Sequence, residues 1–229
     1  CVTGGAGFIG SHLVDRLIEL GHDVLVIDNL STGMRSFVHE DAQFIEMDVR
    51  DPKLLSVFEE FKPSIVFHEA AQTMVQSSME NPSYDCDVNL IGLINVLDAC
   101  RKVNVEQFLM PSSAAVYGDL AVLPLTEDLS GMPSSFYGLT KLTAEGYLRI
   151  YHEAFGLNTV CFRYANVYGP RQGDGGEGGV ISIFNRLIVE GQPLTVFGDG
   201  EQTRDFIYVD DVVDANIKAM GNGQCTGIY

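Results

Sequence analysis

Thr3-Gly4-Gly5-Ala6-Gly7-Phe8-Ile9-Gly10 is the stretch whose reading decides the fold. It satisfies GxGxxG through Gly5, Gly7 and Gly10, and GxxGxxG through Gly4, Gly7 and Gly10. The string stands between a strand end at Cys1-Val2-Thr3 and a helical pattern from Ser11 to Leu20, which Gly21 closes as a C-cap. In that setting the missing side chains let backbone approach a pyrophosphate, and the helix N-terminus offers free N–H groups and positive dipole. A tight turn without a ligand is the bland alternative, and the strand–glycine–helix context weighs against it. Asp28 follows Gly10 by 18 positions, at the end of Asp23–Asp28 (DVLVID). A carboxylate there accepts from both ribose hydroxyls and repels a 2′-phosphate, which favours NAD over NADP.

Outward from this unit, apolar β-rich runs alternate with helical patterns. The runs are Phe44–Val49, Ser64–His68, Gln107–Met110, Thr159–Arg163 and Phe206–Val209; the helical segments are Lys53–Phe61, Val88–Val103 and Tyr137–Phe155. Such alternation predicts an α/β fold with a doubly wound parallel (Rossmann) sheet. Residues 1–166 with about 206–222 form the expected nucleotide domain, and 167–205 part of a smaller, incomplete substrate domain. The chain reads as beginning mid-strand. Gly227-Ile228-Tyr229 reads as the start of a strand with no partner or turn following, so residues are expected on both sides.

The 229 residues carry 14 Lys and Arg against 31 Asp and Glu, a net charge of −17, and 46% are hydrophobic. That composition suits a soluble globular protein and excludes nucleic acid and membrane as primary partners, since no basic stripe is present. Cys1, Cys86, Cys100, Cys161 and Cys225 are widely spaced with no CxxC pair, so neither a disulfide framework nor a metal site is indicated. No leader pattern or bilayer-length apolar run occurs, and the location is read as cytoplasmic by default.

Tyr137 and Lys141 are four apart at the start of a helical run, which puts phenol and ammonium on one face. A phenol with an ordinary pKa of about 10 is a poor base, and an adjacent ammonium stabilises its phenolate. Ser113 ends a different strand and can exchange a hydrogen bond with the same substrate oxygen. YxxxK alone is a common surface pattern; the order of glycines, Asp28, Ser113 and Asn166 after successive strands places all of them on one sheet edge. Asp48 and Val49, closing the third strand, could meet an adenine, or Asp48 could cap the next helix. Asn29, Ser31, Thr32 and Gly33 either extend the nucleotide contact or form only a loop.

TGGAGFIGSH, DNLSTG, HEAAQ, SSAAVYG, YGLTK, FRYANVYGPRQ and DGEQTRDFIYVDD together resemble the extended short-chain dehydrogenase/reductase family, and within it the nucleotide-sugar 4-epimerases, across essentially the whole chain. The resemblance implies NAD as cofactor, held by Gly4, Gly7, Phe8, Ile9, Gly10, Asp28 and the loop after it. Ala70, Ala71 and Gln72 would line the cofactor channel, and Tyr164 would lie near the nicotinamide. It implies Tyr137 as general base, Lys141 as its modulator and ribose ligand, and Ser113 as its partner on the sugar 4-hydroxyl. His68 reads as a buried strand-end residue.

A UDP-sugar is the implied substrate, held by Arg204 as diphosphate clamp, Asn166, the backbone of Gly179 and Val180, and Thr195 with Phe197 beside the uracil. For Phe197 ordinary core is equally good, for Arg204 a surface pair with Asp205, and for Asn166 a turn role. Gly173–Gly179 could be a lid or a tolerated loop, and Arg171 could steer phosphate or stay solvated. Ala114 and Ala115 stand where sugar dehydratases and decarboxylases carry an acid, which disfavours elimination and leaves epimerisation of UDP-galactose and UDP-glucose. UDP-glucuronate and UDP-N-acetylglucosamine epimerisation are the alternatives; a reductase or a non-catalytic NAD sensor is less favoured. Glu69 departs from the commoner Leu and could alter sugar preference, as could the loop from Met74 to Ser78. Surplus apolar residues such as Leu90, Ile91, Leu93, Ile94, Val96 and Leu97, with the family's helix pairing, predict a homodimer; packing on the sheet explains them equally well.

Overall fold

The computed structural model describes residues 1–173, 179–223 and 225–229. The strands among them are β1 (Val2–Thr3), β2 (Leu25–Asp28), β3 (Gln43–Glu46), β4 (Ile65–His68), β5 (Gln107–Ser113), β6 (Asn158–Tyr164), β7 (Asn166–Tyr168), β8 (Phe206–Tyr208) and β9 (Gly227–Ile228). The α-helices are α1 (Phe8–Glu19), α2 (Leu54–Phe61), α3 (Val75–Glu80), α4 (Pro82–Cys86), α5 (Gly92–Val103), α6 (Phe136–Phe155), α7 (Val180–Val189) and α8 (Val209–Ala219).

Seven strands form one parallel sheet in the order β3-β2-β1-β4-β5-β6-β9. Alternating side chains feed two cores. Leu25, Ile27, Val66, Phe108 and Met110 pack with Leu54, Phe58, Leu93, Val96, Leu97, Ala144 and Leu148 of α2, α5 and α6. Val24, Val26, Phe67 and Leu109 face Leu13, Val14, Leu17, Val213 and Ala219 of α1 and α8 on the other side. β1 and β4 are adjacent, so the order reverses between them, and the crevice above their carboxyl ends is where such sheets bind ligands.

Several expected bounds move. β2 starts at Leu25, and β3 ends at Glu46, opposite Asp28, so Asp48 and Val49 lie in the following loop instead of closing the strand. The Phe206 run does not join the main sheet. As β8 it pairs with β7 in a separate parallel ribbon, with Phe206 40% exposed, because the place beside β6 is taken by β9. The C-terminal strand thus has a partner, with Val160 opposite Gly227 and Cys161 opposite Ile228. The helix expected from Val88 opens with a π-turn over Asp87–Ile91 before α5. A Cβ on Gly92 would stand 2.8 Å from Val49, so this helix start packs directly on the loop after β3.

Candidate active site

The carboxyl ends of the adjacent strands β2, β1, β4, β5 and β6 carry Asp28, Thr3, His68, Ser113 and Tyr164 side by side. Gly4, at φ +72°, turns the chain out of β1, and a Cβ there would lie 2.5 Å from the amide of Ala70. A Cβ on Gly10 would lie 2.2 Å from Gly4 O, so α1 begins flush against the turn and only glycine fits. Gly7 caps α1 without a side-chain bond, and the first turn of α1 holds no acid, which leaves its N–H groups available to an anion.

Asp28 is buried; its Oδ2 accepts from the amide of Ala6 at 3.0 Å and its Oδ1 from Leu30 at 2.8 Å. The carboxylate is thereby fixed at the end of β2, with lone pairs left for ribose hydroxyls. The loop behind it folds back: Met34 N donates to Ala6 O at 2.9 Å, and Gly33 approaches Ala6 and Asp28 so closely that a Cβ would meet both near 3 Å. Ser31 and Thr32 are exposed on this loop, with Ser31 N bonded to Asn29 Oδ1.

Asp48 does not cap α2, whose N-cap is Lys53. Its carboxylate accepts from Arg50 on both oxygens, at 2.8 and 2.7 Å, and from Asn29 Nδ2 at 2.8 Å. The hydrogen-bonded Arg50 guanidinium holds this carboxyl well below the usual carboxylate range. Val49 is buried in the core, and its carbonyl accepts from Asn95 Nδ2 at 2.7 Å.

Past β4, Ala70 and Ala71 lead to Gln72, whose Nε2 donates to Asp85 Oδ1 at 2.7 Å and whose amide donates to Asn89 Oδ1 at 2.8 Å. Asp85, fully buried, also accepts from Asn89 at 3.2 Å and Thr140 at 2.8 Å. This network ties the Gln72 loop to α6 between Tyr137 and Lys141, and sequence reasoning missed it because its members lie far apart in the chain.

Ser135 caps α6 through Gly138 N, and Ser78 Oγ accepts from Tyr137 N at 3.1 Å. Lys141, 5% exposed, runs back under the sheet edge and donates to Pro111 O at 3.0 Å, with its ammonium 5.9 Å from the Tyr137 ring centre. Ser113 stands opposite Tyr164 in the β5–β6 register and accepts from Ala115 N at 3.2 Å, which leaves its hydroxyl proton free to donate. Ala114 and Ala115 begin a short 3-10 turn over Ala114–Tyr117. The hydroxyl of Tyr164 accepts from Asn216 Nδ2 at 2.6 Å; burial first, and the charge of Glu69 second, keep it a phenol.

The residues expected on the sugar-nucleotide side are placed more loosely. Asn166 donates through its amide and its side chain to Asp205 O, joining β7 to the start of β8. Gly179 caps α7, and Val180, its first residue, is 43% exposed. Phe197 is 81% exposed and Thr195 is exposed, so the core reading of Phe197 is overturned. Arg204 donates to Thr203 O at 2.7 Å. Arg171 pairs with Asp15 at 2.7 Å and lies over the Phe37 ring, so it is committed to the α1 side instead of staying solvated. The proposed lid over Gly173–Gly179 falls largely outside the described residues. Among the described residues no group of three or more His, Cys, Asp or Glu is placed to hold a metal, and no helix is long and apolar enough to cross a membrane.

The sequence model of the NAD dependent epimerase/dehydratase family matches residues 1–229. The chain belongs to that family. A curated relative, the putative UDP-glucose 4-epimerase of Methanocaldococcus jannaschii, is 46% identical over 220 residues, 96% of this chain and 72% of the relative. Among solved structures, the Thermus thermophilus UDP-glucose 4-epimerase in complex with NAD is 42% identical with a TM-score of 0.94, covering 100% of this chain and 75% of that one. The Methanobrevibacter ruminantium UDP-N-acetylglucosamine 4-epimerase, in complex with UDP-N-acetylmuramic acid, is 38% identical with a TM-score of 0.93, covering 99% and 74%. NAD is the family's cofactor, and the close-packed glycine turn, the acid-free N-terminus of α1 and the buried Asp28 fit it.

Proposed function

We propose that the protein interconverts UDP-galactose and UDP-glucose at C4 of the sugar. The observation that carries this reading is Tyr137 and Lys141 on one face of α6, with Lys141 anchored beneath the end of β5 where Ser113 stands. When bound, NAD supplies a reversible hydride acceptor for the C4–H bond. Tyr137, with Lys141 close to its ring, takes the proton of the 4-hydroxyl, and Ser113 donates to the same oxygen as it becomes a carbonyl. The 4-keto sugar would rotate so that the hydride returns to the other face of C4 while Tyr137 returns the proton to the oxygen, which gives the opposite configuration.

Ala114 and Ala115 offer no carboxylate beside Ser113, which supports epimerisation over elimination. Asn166, Gly179, Val180, Thr195, Phe197 and Arg204, in the segment 167–205 or at its margins, are the proposed contacts to the nucleotide sugar, with Arg204 on the diphosphate. A homodimer is proposed through the outer side of the π-turn and α6. Leu93, Val96 and Leu97 are fully buried on the sheet, whereas Ile91, Phe136, Leu139 and Ile150 are 41–53% exposed.

The test is NMR of UDP-galactose incubated with the protein and no added cofactor. Conversion to UDP-glucose is expected. The name of the M. ruminantium relative favours UDP-N-acetylglucosamine as the second substrate to try, and turnover of that sugar with UDP-galactose untouched would move the assignment there.

A further inference from the structure

Glu69 is the first residue beyond β4, directly over the point where the strand order reverses. Its amide donates to Thr3 O at 2.9 Å, and its backbone lies so near the glycine turn that a Cβ on Gly4 would be 2.7 Å from it. Its side chain is surrounded by groups from β4, β6 and α6. The charge of Lys141 of α6 acts on it, and its own carboxylate acts on Tyr164 of β6; His68 precedes it on β4 and also feels Lys141. Oε1 is sealed from solvent and meets no hydrogen-bond partner. A buried carboxylate oxygen without a donor is costly, so such a group sits there for a reason beyond packing.

The three elements around it are those that frame the cofactor crevice. We propose that Glu69 is a positioning residue of the NAD site which gives its proton to solvent when the cationic nicotinamide ring occupies the crevice, so that the chain holds oxidised cofactor in preference to reduced. The proton balance is simple: the carboxyl O–H breaks, the proton leaves through the open cleft, and the carboxylate faces a positive ring instead of a neutral one. Burial, opposed by Lys141, pushes the free carboxyl up to about 7, so it is poised to respond near neutrality. The reduced ring carries no charge and leaves the proton in place.

The inference rests on NAD as cofactor, and its readouts are binding and proton release instead of turnover. If the ring lowers the carboxyl by about one unit, the ratio of NAD to NADH affinity rises about tenfold between pH 5 and pH 9. Roughly 0.4 proton is then released per NAD bound at pH 7, and almost none at pH 9. Calorimetry of cofactor-free protein in buffers of different ionisation enthalpy reads both quantities. Glu69→Gln keeps shape and removes the titration, so its affinity ratio is expected to be flat with pH and its proton release lost. Glu69→Asp, checked for folding by its thermal transition, should restore part of the release. A wild-type protein that binds NAD with no proton release, or a Glu69→Gln protein with unchanged release and pH profile, overturns the proposal. Failure of the wild-type protein to bind NAD at all would instead sink the cofactor assignment.

Discussion

Two neighbouring residues give this protein opposed responses to acid. His68 is 3% exposed and its Nδ1 lies 2.8 Å from Thr3 Oγ1; burial first, and the Lys141 charge second, bring its imidazole from 6.5 down to about 3. Between those values the unfolded chain binds the extra proton and the folded chain does not. Stability from His68 is therefore complete above pH 6.5 and is lost as pH falls towards 3, by about 1.4 kcal/mol per unit and roughly 5 kcal/mol in all. Glu69 has the reverse sign. Its carboxyl rises from 4.5 to about 7, so the folded chain binds more protons in that window and stability falls as pH rises through it. The ceiling is about 3 kcal/mol, because the residue as a whole is only half-buried. From pH 4.5 to 6.5 the two slopes cancel.

Relative to wild type over that interval, His68→Asn should lose about 2–3 kcal/mol as pH rises and Glu69→Gln should gain a similar amount. Urea unfolding at successive pH values, with free energies from the midpoint and slope, measures the difference profiles. The double variant, needed because adjacent groups couple, should again run parallel to wild type. Single-variant profiles that both parallel the wild type would show that neither group is held away from its ordinary titration.

Tyr137→Phe should lower the rate constant for UDP-sugar turnover by about 10²–10⁴-fold while NAD binding persists, as steady-state kinetics and cofactor titration will show. Glu145→Gln breaks a buried pair with Arg163 at 2.8 Å, in which the side chains are 4% and 7% exposed, and weakens the Ser112 bond; a cost of about 3–5 kcal/mol is expected in urea unfolding. Asp85→Ala removes the buried acceptor shared by Gln72, Asn89 and Thr140, leaving them Met74 O, Gln72 O and Tyr137 O, and should cost ~2 kcal/mol, seen as a lower Tm.

The glycine turn, Asp28 and the Tyr137–Lys141 spacing were legible because each depends on neighbours a few residues away or on a strand–helix alternation that repeats along the chain. What escaped depends on long-range choices. Whether Phe206 pairs with β6 or with Asn166–Tyr168 is a competition that β9 wins for the main sheet, and no local pattern encodes it. Asp48 read as an adenine contact or a helix cap because nothing local pairs it with Arg50, and the bridge from Arg50 to Asp87 that fixes this pair spans 37 residues. Glu69 stood out in sequence only as an unusual side chain. Its sealed oxygen and its Lys141 and Tyr164 neighbours come from strand order and from α6, which sequence spacing does not give.

The same distinction explains how a chain of net charge −17 accommodates an anionic dinucleotide. Its arginines are largely spent on its own acids: Arg50 on Asp48 and Asp87, Arg163 on Glu145, Arg171 on Asp15. The positive potential at the crevice comes instead from the N-terminus of α1, kept free of acids in its first turn, and from Lys141, whose contacts are the Pro111 carbonyl and the Tyr137 ring. Both act at short range in a partly desolvated cleft, where screening by the surrounding acidic surface is weak. Net charge thus governs what approaches the molecule from afar, while a few fixed dipoles and one buried ammonium govern what stays.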